Sequence, residues 1–384
     1  DYYPRGALEK AFEISRQFAC LPDGVPVRVP EIENFVHGAI GKTSLGTAIE
    51  AAIDIAAGCN GLSIANLMYQ NEEIAWHAGT FRKLADWKPY FDALLRENGE
   101  SVHAGLAVAF PASQPSRSLM PGEPAWSWTS AGMGEGYRLG TIGVPVSTAP
   151  TAAYGYILTA EAAKGIDEPT LRAMIRKGLL TDGLSAAILQ ERGLGACLGA
   201  KLRKLESYNS PEYFTNDPLN GSTGAMAFLD NPFNRAPNKY AVEPICGNVR
   251  VLGEFRSADG LDRGLLTVGI ALPDGAGRVG IIGRNAWETV MSGKRRTQIV
   301  NLADWVTGHT APVCIDTVCQ VAPIVRCDAD GRVRTVTLLN QGFDDTPELE
   351  VRVRLGSGQK GVFRWMAPEC ADVPLSATRR EREW

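Results

Sequence analysis

Apolar positions in the first hundred residues alternate between a helical and a strand period. From Ala7 to Ala19, the residues Ala7, Leu8, Ala11, Phe12, Ile14, Ser15, Phe18 and Ala19 share one side of a helix. Glu9, Lys10, Glu13, Arg16 and Gln17 share the other. Pro22-Asp23-Gly24 predicts a turn into a strand over Val25–Phe35, VPVRVPEIENF. A helix is expected over Leu45–Ala57 with Ser44 as its N-cap, and its alanine-rich, many-sided apolar pattern predicts deep burial. A second strand is expected over Gly61–Met68, then a polar loop and a helix over Gly79–Asn98. Helix, strand, helix, strand, helix is the rhythm of a parallel β/α protein, here two consecutive units.

From His103 the rhythm restarts. Strands are expected over Gly105–Pro111, Val144–Thr148, Tyr154–Thr159 and Leu179–Thr181, with helices from Asp167 to Gly178 and from Ala186 to Arg192. Asp167 and Glu168 suit the positive end of the first of these helices, and Gly178 suits its stop. From residue 206 the texture turns to alternating β-type runs separated by Gly, Asn, Asp and Pro. Asp330-Gly331 is a hairpin signal there, and Arg295–Val306 a helical insert. The expected division is terminal β/α units over 1–100, an open α/β layer domain over 101–205 and a β-rich region over 206–384.

A chain of 384 residues exceeds one ordinary core, in keeping with two or three domains. Its net charge of −4 supplies no basic field for nucleic acid or an anionic membrane surface. No apolar run reaches the ~20 residues of a spanning helix. The eight cysteines, at 20, 59, 197, 246, 314, 319, 327 and 370, form no CxxC pair. They form no metal spacing with the histidines at 37, 77, 103 and 309 either, so no metal site is expected, and scattered reduced thiols fit a cytoplasmic protein. The sequence opens at Asp1 and runs straight into a helical pattern, which reads as a start inside a domain.

Candidate chemistry concentrates in Val25–Phe35. Side chains alternate along a strand, so Glu31 and Glu33 point to the same side near its carboxyl end, where β/α folds place catalytic groups. A carboxylate there suits a nucleophile or general base; the plainer alternative makes both residues solvated side chains at a strand-to-loop junction. Other motifs carry less. Thr181-Asp182-Gly183-Leu184-Ser185 lies between a strand and a helix, as a nucleophile elbow does. Its centre is Gly183 or Leu184 and it holds no cysteine, so it reads as a plain turn. Gly41-Lys42-Thr43 imitates the end of a phosphate loop, but the first glycine of that motif would fall at Val36. The GMGEG stretch at 132–136 follows no strand. Trp76, Trp87, Trp126 and Trp128 are of a type that walls a sugar ring, although each alone is more often core.

Taken together, several phrases resemble the C-terminal part of a family 42 (A4-type) β-galactosidase. They are EIENF at a strand end, the helix near ADWKPYFDALL, the run LTAEAAKGIDEPTLRAMIRKGLLTDGLSAAILQERGLG, and YFTNDPLNG before a β-rich end. The resemblance covers essentially the whole chain. It implies an α/β plus β protein: the last units of a (β/α)8 barrel, a flavodoxin-like, amidotransferase-like but inactive domain that holds a homotrimer together, and a β-rich terminal region. It further implies a retaining glycoside hydrolase with a carbohydrate substrate and no cofactor. Glu33 matches the nucleophile, with Glu31 as the fallback and Asn34 in the place of the family's amide residue. His37, Asn66 and Trp76 would then neighbour the substrate. The strand that carries the acid/base in the family is not in this sequence, so a preceding segment or a second chain would have to supply it. A rival of a different class keeps the same domains: a non-catalytic assembly or carbohydrate-binding protein.

Overall fold

The computed structural model describes residues 4–21, 24–33, 42–65, 73–111, 136–148, 153–205, 211–222, 226–228, 239–257, 263–287, 292–342, 344–355, 361–368 and 370–378. The chain is a mixed α/β protein with a large mixed sheet. It divides into two units, one made of Asp1–His103, Val325–Leu339 and Val353–Trp384, the other of Ala104–Ile324 and Asn340–Arg352.

In the first unit the expected amphipathic helix runs Pro4–Cys20 and buries Leu8, Ala11, Phe12 and Ile14. It packs on the helix Ser44–Ala57, which packs in turn on Ala78–Asn98. The middle helix is buried along most of its length, as its alanine-rich pattern predicts, but its cap is Thr43 rather than Ser44. A cap needs an extended backbone, which Thr43 has at φ −69° and ψ 151°, whereas Ser44 is already the first helical residue. Thr43 Oγ1 accepts from Gly46 N at 2.9 Å, and the Ser44 hydroxyl instead meets Thr80 Oγ1 at 3.2 Å.

The strand expected over Val25–Phe35 contracts, within the described residues, to Glu31–Glu33. Pro26 and Pro30 offer no N–H to a ladder, and Val27 is 68% exposed. Asn60 stands in for a neighbouring strand instead: Arg28 N donates to its Oδ1 at 2.8 Å, and its Nδ2 donates to Pro26 O at 2.7 Å. The strand expected over Gly61–Met68 is Ser63–Ala65, with residues 66–68 outside the described ones. Segments distant in sequence complete this unit. Arg326 Nε donates to Ser101 Oγ at 3.0 Å, and Thr335 Oγ1 donates to Asn98 Oδ1 at 2.7 Å.

In the second unit the strand Val102–Val108, which enters it at Ala104, runs parallel to Val146–Ser147 and Ala153–Leu158, and the latter parallel to Leu179–Asp182. The parallel run continues with Arg278–Ile282, whose Val279 aligns with Leu179 and Ile282 with Asp182. The sheet then turns antiparallel through Arg263–Ala271, Asn248–Arg256, Glu212–Phe214 and Met226–Phe228. Tyr240–Pro244 joins Arg263–Ala271 to Ala200–Lys204. Helices Glu168–Lys177 and Gly183–Glu191 cover this sheet, burying Leu171, Ile175, Ala186 and Leu189 with Leu179, Val268, Ile270 and Ile281.

Local signals set the ends of these helices. Asp167 caps the first, accepting from Thr170 N at 3.0 Å, and Gly178 stops it as expected. Gly178 sits at φ +123°, and a Cβ there would meet the Val306 carbonyl oxygen, so no other residue fits. The second helix starts at Gly183 rather than Ala186, because Asp182 at the strand end is itself the cap and accepts from Ser185 N at 2.8 Å. Burial pushes the Asp182 carboxyl up to about 6 even though the Ser185 bonds favour its ionised form. The expected insert is the helix Gly293–Val306. Its Arg295, with Arg284, pairs with the fully buried Glu212, to which Thr267 Oγ1 donates at 2.6 Å. Burial alone would raise the Glu212 carboxyl; Arg295 and Arg284 outweigh it and hold the group below the usual carboxylate range. Among the described residues no helix is long and apolar enough to cross a membrane.

Candidate active site

Ile32 is 0% exposed, and the glutamates on either side of it are exposed. Glu31 and Glu33 therefore leave the strand together on the side away from its buried face, as alternation requires. The strand pairs in parallel with Ser63–Ala65, Glu31 opposite Ser63 and Glu33 opposite Ala65. Pro30 O accepts from Ser63 N at 3.2 Å, so the carbonyls of residues 31 and 33 turn to the opposite edge. Two ammonium groups meet them there: Lys10 Nζ donates to Glu31 O at 2.6 Å, and Lys42 Nζ to Glu33 O at 3.3 Å.

Both lysines also pair with Glu50, one on each carboxylate oxygen. Glu50 and Lys42 are buried, and a buried acid is tolerated only with such partners. Asp54 lies one turn further along the same helix face and is 0% exposed. Neither of its carboxylate oxygens has a hydrogen-bond partner among the described residues. Burial pushes the Asp54 carboxyl up to about 7; Lys10 and Lys42 pull it down, and Glu50 pushes it up. The Cys59 thiol is pushed up to about 12, by burial first and then by Asp54, which keeps it protonated and inert.

Trp76 lies in the short 3-10 turn Ile74–His77 that leads into the helix Ala78–Asn98, and it is 59% exposed, while His77 is buried. Asn34, His37 and Asn66 lie outside the described residues. Lys10 and Glu50 carried no functional expectation from the sequence, and Lys42 only the phosphate-loop imitation of Gly41-Lys42-Thr43. The available signal was a pair of acids, Glu50 and Asp54, four apart inside an apolar helix, since acids that cannot reach water need partners. In the Gly41-Lys42-Thr43 stretch the lysine serves an ion pair and the threonine a helix cap, which accounts for both without a phosphate.

Among the described residues no group of three or more His, Cys, Asp and Glu side chains is arranged to hold a metal ion. In the second unit a cleft of about 430 Å³ opens beside Tyr240–Pro244, with the buried Ala241 and Phe255 at its floor. On its lining Arg203 pairs with Glu243 and Arg256 with Glu254, and Arg263 adds a further cation.

Fold and site together define a mixed α/β protein that presents two carboxylates side by side at the end of a short parallel strand. No protein-family model and no curated protein matches the chain. Solved structures resemble it at low identity. An alpha-L-fucosidase isoenzyme 2 from Paenibacillus thiaminolyticus superposes with a TM-score of 0.45 at 11% identity, over 75% of this chain and 44% of that one. An exo-beta-1,4-mannosidase from Opitutaceae bacterium strain TAV5 gives a TM-score of 0.41 at 14% identity, over 80% and 56%. A carbohydrate deacetylase gives 0.27 at 12% identity, over 44% and 26%. The chain thus spans about half the length of the first two.

Proposed function

We propose that the protein is a retaining, β-galactosidase-like glycoside hydrolase, with Glu33 as nucleophile and Glu31 as the fallback. The observation that supports this reading is the pair of exposed glutamates flanking the buried Ile32 at a strand end, within the phrase EIENF. In a retaining hydrolase one carboxylate attacks the anomeric carbon while a carboxylic acid about 5 Å away protonates the leaving oxygen. Glu33 takes the first part; the second falls to a barrel strand outside these two β/α units. Asn34, His37 and Asn66 would hold sugar hydroxyls, and the exposed ring of Trp76 offers an apolar wall for a sugar face. The resemblance to family 42 β-galactosidases carries the proposals of a (β/α)8 barrel and a trimerisation domain, and the scattered thiols carry that of a cytoplasmic location.

The test is turnover of a panel of aryl glycosides, aryl β-galactosides first, by the protein together with the preceding segment or second chain that carries the acid/base strand, and by its Glu33→Gln and Glu31→Gln variants. Loss on the order of a thousandfold in kcat for Glu33→Gln, with KM little changed, is the expected result. Normal turnover by Glu33→Gln with loss in Glu31→Gln would move the nucleophile to the fallback position. Normal turnover by both variants, or none by the wild type, would sink the hydrolase reading and leave a carbohydrate-binding or assembly protein.

A further inference from the structure

We infer that Lys10, Glu50 and Lys42 form a clamp that positions Glu31 and Glu33 by holding the backbone carbonyls of those same two residues. The inference rests on the reading of Glu33 as nucleophile and adds the residues that would aim it. The strand is only Glu31–Glu33 long, and one edge pairs with Ser63–Ala65. On the other edge the carbonyl oxygens of residues 31 and 33 are met by ammonium groups, at 2.6 Å from Lys10 and 3.3 Å from Lys42. An ammonium has three donors and a free stem, so alone it would hold a carbonyl loosely. Glu50 removes that freedom by taking one lysine on each oxygen, from a buried position on a helix that is itself packed on two others.

The three residues come from three places in the chain. Lys10 rides on the helix Pro4–Cys20, Lys42 precedes the cap of Ser44–Ala57, and Glu50 sits inside that helix. The clamp therefore ties the aim of two exposed carboxylates to the packing of the helices beneath them. Misplacement of a reacting carboxylate by a fraction of an ångström is costly to turnover while binding of the sugar is little affected.

Glu50→Gln, Lys42→Met and the double variant test this on the protein together with the segment or chain that carries the acid/base strand, with circular dichroism confirming the helices. Hydrogen exchange is read at residues 31–33, and kcat and KM are read on an aryl glycoside. The expected result is exchange at least about tenfold faster at Ile32, whose N–H faces the partner strand, and kcat about tenfold lower at unchanged KM. The double variant should resemble either single one, because the pair acts as a unit. Unchanged exchange in both single variants overturns the clamp. Faster exchange with unchanged kcat overturns its positioning role. A wild type that hydrolyses no glycoside sinks the hydrolase reading instead, and exchange then judges the clamp by itself. If Glu50→Gln fails to fold, Lys42→Met carries the same two readouts.

Discussion

Asp54→Asn should flatten a pH dependence of stability that the wild type carries. The carboxyl is fully buried without a hydrogen-bond partner among the described residues, and it stands at about 7 when folded against an ordinary value of 3.8. An unfolded chain ionises this group near the ordinary value, while the folded protein keeps it protonated until about pH 7. Between those limits the native state binds the extra proton, so stability falls as pH rises and levels off above the folded value. Integrated over the whole window, the loss amounts to about 4 kcal/mol at most; between about pH 5 and pH 8 it is ~2.5 kcal/mol. Asparagine has no such titration and nearly the same shape. Urea unfolding of wild type and variant, followed by tryptophan fluorescence at each of several pH values, gives the difference in stability free of terms common to both. The variant should gain on the wild type steadily across this range, with the gain ending near neutrality. Parallel curves, flat to within about 0.5 kcal/mol, would refute the reasoning, because Asp54 would then titrate alike in both states.

Other perturbations follow from the same packing arguments. Glu212→Gln leaves Arg295 and Arg284 buried without their shared carboxylate and should cost about 3–5 kcal/mol by denaturant unfolding. Because that carboxyl is held low in the folded state, its contribution is present at neutral pH and lost as pH falls through the folded value, a loss the variant should not share. Gly178→Ala, which places a Cβ against the Val306 carbonyl at a positive φ, should cost about 2 kcal/mol or more in the same assay. Asp167→Ala removes the N-cap of the helix Glu168–Lys177 and should cost about 1 kcal/mol.

What the sequence determined by itself is local. Helical and strand periods placed the helices Pro4–Cys20, Ser44–Ala57, Ala78–Asn98, Glu168–Lys177 and Gly293–Val306 to within a few residues. The period of two put Glu31 and Glu33 on one face, since alternation depends only on neighbours in the chain. The cap at Asp167 and the stop at Gly178 were legible for the same reason, each a contact within one turn. The strand around the glutamates was overread, because β-branched residues advertise a strand while Pro26 and Pro30 withhold the donors that a ladder needs.

Tertiary structure decided the rest. No period could reveal that Arg278–Ile282, far along the β-rich stretch, lies parallel to Leu179–Asp182 and so carries one sheet through two differently textured segments. Nor could it reveal that Lys10 reaches Glu50 across 40 residues and Lys42 across 8. Those pairings exist because burying Glu50 in an apolar helix requires counter-charges, and only the packing of helices from separate parts of the chain determines which lysines arrive.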